Sequence, residues 1–93
     1  MKDYTLPELK ELAAKLSNWE IEENCLRKDF KFKDFKAAMA FMLQVAFISE
    51  NADHHPEIIN IYNQVILKLQ THTVKSMTIK DIELAEKIDQ ISI

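Results

Sequence analysis

The sequence predicts an α+β fold: a four-stranded antiparallel sheet with three helices on one face, in the order α-β-β-α-β-β-α. Three observations carry this reading. Apolar residues recur at helical spacing in three separate segments. Four shorter runs alternate in polarity or are rich in Ile and Val at strand length. The strand-like runs come in pairs split by two polar residues, Glu23-Asn24 and Asn63-Gln64, which suits hairpins and so antiparallel pairing. At 93 residues the chain is expected to form one domain, 1–93.

The first helix begins at TLPELKELAAKL, where Thr5 and Glu8 match a capping box and Pro7 is tolerated in the first turn. Leu6, Leu9, Leu12, Ala13 and Leu16 mark its apolar face, so it is expected to run to about Leu16. Trp19 and Ile21 then alternate with acids, Glu23-Asn24 interrupts, and Leu26, Lys28, Phe30 and Phe32 continue at period two as the first hairpin. From Asp34 a long helix carries two apolar stripes. Phe35, Ala38, Met39, Met42, Ala46 and Ser49 form one, and Ala40, Leu43 and Phe47 the other. A small domain cannot bury both sides of such a helix, so one side is expected to meet another subunit.

Glu57 to Tyr62 and Val65 to Thr71 read as the second hairpin, with Asn63-Gln64 as its turn. The chain contains no glycine, so Asn63 is the expected carrier of a positive φ there. Thr78 to Asp81 then caps a third helix, along which Ile79, Ile82, Ala85 and Ile88 repeat at helical spacing.

Composition removes several function classes. The formal net charge is −3, and the lysines of KDFKFKDFK are interleaved with acids and apolar residues, so direct nucleic-acid binding is not expected. A single cysteine, Cys25, excludes an intrachain disulfide framework and fits a reducing, cytoplasmic compartment. The start of the chain lacks the apolar core of a signal peptide, and Ala37 to Ile48 falls short of the roughly 20 residues that span a bilayer, so no membrane partner is expected.

The three histidines concentrate the chemical interest. His54 and His55 sit side by side in ENADHHPEIINIY, flanked by Glu50, Asp53 and Pro56. If Asn63-Gln64 is the turn, Tyr62 pairs with Val65 and His55 falls opposite His72; a shift of one residue still leaves all three imidazoles at one end of the sheet. Three readings follow. Glu50, Asp53, His54 and His72 could ligate a metal, but no HxxxH or HExxH spacing holds two imidazoles on one helical face. Loop histidines beside a proline could simply be solvated. Acid-base catalysis without metal suits imidazoles, whose ordinary pKa near 6.5 lets them give and take protons at neutral pH. A chain without glycine has no glycine-rich phosphate loop, and neither serine nor cysteine stands in a recognisable nucleophile setting.

The ordered set of Trp19, Glu50, His54-His55-Pro56, Tyr62, His72 and Asp81, with FKFKDFKAAMAFM before the histidine pair and the helix from Thr78 to Ile88 after it, resembles the pterin-4a-carbinolamine dehydratases. The resemblance covers most of the chain. It implies a hydro-lyase that converts 4a-hydroxytetrahydrobiopterin to the quinonoid dihydropterin and water, recycling the pterin of an aromatic amino acid hydroxylase. It implies no cofactor and no metal. By the same resemblance His54 and His72 would exchange protons with the substrate and His55 would fix the pterin. Glu50, Asp53, Pro56, Thr71 and Thr73 would line its edges, and Asp81 would support the histidines from behind. Family members form homodimers through sheet edges and tetramers through helices, so a homodimer or homotetramer is implied.

The chain departs from the family pattern in two places. Relatives often carry glycine within the segment that corresponds to His72 to Met77, and Ile58-Ile59 replace an aromatic often found after the HHP. Two other roles belong to the same resemblance: a non-catalytic dimerisation partner of a transcription factor, and a pterin-binding role in molybdenum-cofactor metabolism. Three convergent imidazoles favour catalysis, since a pure interaction module has no physical need of them.

Overall fold

The computed structural model describes residues 4–92; residues 1–3 and 93, which the expected domain includes, lie outside the described residues. The elements follow the expected order: α1 (Leu6–Ala14), β1 (Glu20–Glu22), β2 (Cys25–Lys31), α2 (Phe35–Ala52), β3 (Glu57–Ile61), β4 (Gln64–Leu69) and α3 (Ile79–Asp89). Helix α1 starts at the expected capping box, with the Thr5 N–H donating to Glu8 Oε1 at 2.9 Å and the Glu8 N–H to Thr5 Oγ1 at 3.3 Å. It ends two residues before Leu16, because Lys15 already closes the last turn.

The four strands form one antiparallel sheet in the order β1-β2-β4-β3. Alternation sorts its two faces. Leu26, Phe30, Val65, Leu67 and Leu69 point into the core, where Ala13, Phe41, Val45, Ile82, Leu84 and Ile88 meet them from the helices. Cys25, Arg27, Asp29, Ile66, Lys68 and Glu57 stand on the outer face, in register with one another across β2, β4 and β3. A link across 70 residues of sequence ties the end of α3 to the first hairpin: Trp19 Nε1 donates to both Asp89 oxygens at 3.0 and 3.1 Å, and Lys28 Nζ reaches Asp89 Oδ1 at 2.9 Å.

Two expectations are corrected. The buried stripe of α2 is Ala38, Phe41, Val45 and Ser49, while Phe35 and Met39 join Leu43 and Phe47 on the outside. A helix apolar nearly all round has no contrast from which periodicity can read its inner face. The second hairpin turns one residue earlier than expected, at Tyr62-Asn63, with Ile61 opposite Gln64. Side-chain bonding by two asparagines fixes that register. Asn60 Nδ2 donates to the carbonyls of Tyr62 and Gln64, and Asn63 Nδ2 donates to the Phe32 carbonyl at 2.8 Å, while the Phe32 N–H donates to the Asn63 carbonyl.

The positive φ accordingly falls on Tyr62 and not on Asn63. Among the described residues six non-glycine positions take positive φ: Asn18, Glu23, Asn24, Asp53, Tyr62 and Lys75. Glu23 and Asn24 together give the first hairpin the two left-handed residues of a type I′ turn, whose twist matches that of the strands. Lys75 takes the left-handed conformation in the turn between β4 and α3.

Candidate functional site

Helix α2 stops at a left-handed residue, and that stop aims the histidine pair. Asp53 has φ 50° and ψ 43°, its N–H bonds back to the Glu50 and Ser49 carbonyls, and the His54 N–H donates to the Ser49 carbonyl at 3.1 Å. The next two side chains diverge. His54 is nearly buried, its side chain 12% exposed, and its Nε2 lies 2.5 Å from Oδ1 of the fully buried Asp81. His55 is exposed, with its Nε2 2.6 Å from Oε1 of the exposed Glu50, one turn back on α2.

Asp81 is where three segments meet. It is the third residue of α3 and completes the capping box with Thr78, whose N–H donates to Asp81 Oδ2 at 2.9 Å. Thr71 Oγ1 donates to the same oxygen at 3.0 Å. With a carboxylate facing it, His54 donates from Nε2, which leaves Nδ1 as the ring's basic nitrogen.

The outer side of the same sheet end holds a small pocket of about 80 Å³, lined by Cys25, His55, Glu57, Lys68, Gln70 and His72. The register places Glu57 directly opposite Lys68, and Gln70 follows β4 on the same face. Burial pushes the Cys25 thiol up from its ordinary value, with Lys68 pulling the other way, and its Sγ donates to the Glu22 carbonyl at 2.8 Å. Two larger grooves, of 540 and 520 Å³, lie between α2 and the end of α3 and beside β1. Neither is lined by an imidazole.

The structure thus brings His55 and His72 to one pocket, while His54 is outside its lining and faces Asp81. Glu50 holds His55 from the solvent side, while Asp53 shapes the corner through its backbone. Pro56, half-buried, leads into β3. Thr71 turns its hydroxyl toward Asp81, and Thr73 is exposed in the turn after His72. Among the described residues no group of three His, Cys, Asp or Glu side chains could hold a metal ion. No described helix is long and apolar enough to cross a membrane.

Sequence reasoning missed Cys25, Glu57, Lys68 and Gln70 as pocket residues. Period-two alternation carries the signal that would have found them: once Glu57 and Lys68 are paired, each lies on the face where His55 emerges.

Comparison with known proteins adds an independent line. The family model described as pterin 4 alpha carbinolamine dehydratase matches residues 2–91. A protein of Prochlorococcus marinus (strain MIT 9515), named "Putative pterin-4-alpha-carbinolamine dehydratase", is 45% identical over 90% of this chain and 88% of its own length. One of the same name from Sulfurisphaera tokodaii is 40% identical over 98% of both. Among solved structures, a transcriptional coactivator/pterin dehydratase from Brucella melitensis superposes with a TM-score of 0.87 at 38% identity, covering 95% of this chain and 96% of that one. A pterin dehydratase-like RuBisCO assembly factor of the alpha-carboxysome, 24% identical with a TM-score of 0.63 over 76% of this chain and 82% of that one, shares the fold.

Proposed function

Since the chain belongs to the pterin-4a-carbinolamine dehydratase family, we propose that it dehydrates a 4a-hydroxytetrahydropterin, such as 4a-hydroxytetrahydrobiopterin, to the quinonoid dihydropterin. The observation that carries this reading is the convergence of all three imidazoles at one sheet end, with a buried carboxylate orienting one of them. The reaction needs two proton transfers. One proton reaches the hydroxyl on C4a, the C–O bond breaks and water leaves; the other comes off N5 as the C4a–N5 double bond forms. No electrons are gained or lost, so histidine suffices.

In this reading His54 and His72 are the proton carriers, and Asp81 holds His54 in the tautomer that leaves Nδ1 basic. His55, steadied by Glu50, fixes the pterin ring, with the Asp53 and Pro56 corner and the backbone of Thr71 and Thr73 at its edges. The 1–93 chain acts as a single domain, and the recycled pterin serves an aromatic amino acid hydroxylase. No metal and no cofactor takes part in this scheme.

Assembly completes the proposal. A pocket of about 80 Å³ falls below the roughly 300–1,000 Å³ of typical small-molecule sites, which supports a wall supplied by a second copy in a homodimer or homotetramer. The outward stripe of Phe35, Met39, Leu43 and Phe47 supports a helical contact, because Leu43 and Phe47 are 59% and 65% exposed in the single chain. Replacing Leu43 and Phe47 by polar residues should lower the mass measured by light scattering at micromolar concentration. A wild type already monomeric there would remove the assembly.

The same stripe favours a second reading, a dimerisation module without catalysis, in line with the coactivator named for the Brucella melitensis structure. One assay separates the two. Chemically generated carbinolamine is mixed with the purified protein and its loss of water is followed by ultraviolet absorbance. Acceleration over buffer is expected, and none would leave the interaction module standing.

A further inference from the structure

Directed hydrogen bonds run behind the site, and stereochemistry fixes the sense of each one. Thr71 Oγ1 has one proton, which it gives to Asp81 Oδ2 at 3.0 Å. The 2.6 Å contact between the Thr71 and Thr78 hydroxyls must then be Thr78 donating to Thr71. Thr78 Oγ1 is free to donate because it already accepts backbone N–H groups at the start of α3, that of Lys80 at 3.3 Å among them. His54 Nε2 and the Thr78 N–H supply the remaining donors to the carboxylate. Every proton in the cluster has an acceptor.

Thr71 is also the foot of the turn that carries His72. Its N–H donates to the Ser76 carbonyl at 3.0 Å, closing the turn as an isolated bridge, and its carbonyl accepts from the Val74 N–H at 3.2 Å. The next residue is His72, exposed, with a carbonyl that accepts from the Lys75 N–H. Among the described residues, the side-chain bonds that fasten this turn to the rest of the fold are those of the Thr71 hydroxyl, to Asp81 and from Thr78. From this geometry we infer that Thr71 is a positioning residue: through its hydroxyl bond to Asp81 it locks the turn bearing His72 to the carboxylate that orients His54. The turn of one imidazole and the ring of the other are thereby tied to the two oxygens of a single carboxylate, as proton delivery and removal on adjacent ring atoms require. This inference rests on the dehydratase reading, which it deepens.

The test uses Thr71→Val, which keeps the shape and removes the hydroxyl, and Thr71→Ser, which keeps the hydroxyl. Thr71→Val should lower kcat about tenfold while KM moves less than about twofold, as expected when the hydroxyl's bonds to Asp81 and from Thr78 are lost and act only on geometry. Thr71→Ser should restore turnover to within about twofold of wild type. In a His72→Ala background Thr71→Val should cost less than about twofold, because the group it positions is gone. An equal tenfold loss in both backgrounds would reduce Thr71 to general packing and overturn the inference.

A second measurement needs no turnover. The proton between His54 Nε2 and Asp81 should give a downfield nuclear magnetic resonance signal that moves in Thr71→Val and holds its place in Thr71→Ser. A signal unmoved in a folded Thr71→Val protein would overturn the inference even where the wild type is an active dehydratase. An inactive wild type whose signal does move would remove the dehydratase reading and leave the Asp81 link in place.

Discussion

His54 and His55 are chain neighbours with the same side chain, and each has a carboxylate within 2.6 Å, yet they occupy different physical regimes. His54 and Asp81 are sealed between the end of α2 and the start of α3, where an unmet hydrogen bond is expensive and geometry is therefore rigid. His55 and Glu50 are 56% and 76% exposed, where water competes for both partners and their attraction is worth little. One imidazole is built for fixed orientation and the other for adjustable contact. A left-handed residue at Asp53 sets the corner at which the two regimes part.

The largest expected effect breaks the comparison on the catalytic side. His54→Ala and His72→Ala should each lower turnover by about 10²- to 10⁴-fold, and together by far more, whereas His55→Ala should act mainly through weaker pterin binding. Steady-state kinetics with circular dichroism to verify folding would decide this. A folded His54/His72 double variant near wild-type turnover would end the proton assignment.

Stability should sharpen the same contrast. Asp81→Ala strands the His54 Nε2–H, the Thr71 hydroxyl and the Thr78 N–H in a buried space and should cost about 3 kcal/mol in urea unfolding. Glu50→Gln, at an exposed pair, should cost less than about 1 kcal/mol. Comparable losses would mean that burial does not separate the two histidines.

Ser49 tests the buried region from the opposite direction. It is 2% exposed on the inner face of α2, and its Oγ has no hydrogen-bond partner among the described residues. Ser49→Ala should leave stability unchanged or raise it by up to about 1 kcal/mol, because the hydroxyl pays desolvation without a bond in return. A loss above that size would reveal a partner for the hydroxyl.

The smallest effect lies in the outer pocket. Because burial raises the Cys25 pKa, the thiol stays protonated at neutral pH and its alkylation by iodoacetamide should be slower than that of a free cysteine peptide, accelerating only as pH climbs past the ordinary thiol range. Mass spectrometry across that range reads it directly. Fast labelling at pH 7 would mean that the pocket wall opens.

What could be read from the sequence was local. Thr5 with Glu8 and Thr78 with Asp81 announce their helices because capping depends only on residues three apart. The gathering of three histidines survived an error in the turn, since a one-residue shift moves their pairing but not the end of the sheet they occupy. What failed depended on contacts remote in sequence. The turn at Tyr62-Asn63 is held by the bond from Asn63 to Phe32, 31 residues away, and the inner face of α2 is chosen by what packs on it. The bond from His54 to Asp81 spans 27 residues, so the family pattern could name both partners without revealing that they touch.

The absence of glycine reaches beyond the turns it shapes, into the disordered chain. Glycine carries the greatest backbone freedom of any residue, so a chain without it starts from a narrower unfolded ensemble and surrenders less entropy on folding. The cost appears instead in the native state, at left-handed positions held by residues with side chains, such as Tyr62 and Lys75. A glycine placed at either would relieve local strain while widening the ensemble from which the protein folds. The two changes oppose one another, and relief of strain is the larger wherever a side chain holds a left-handed position.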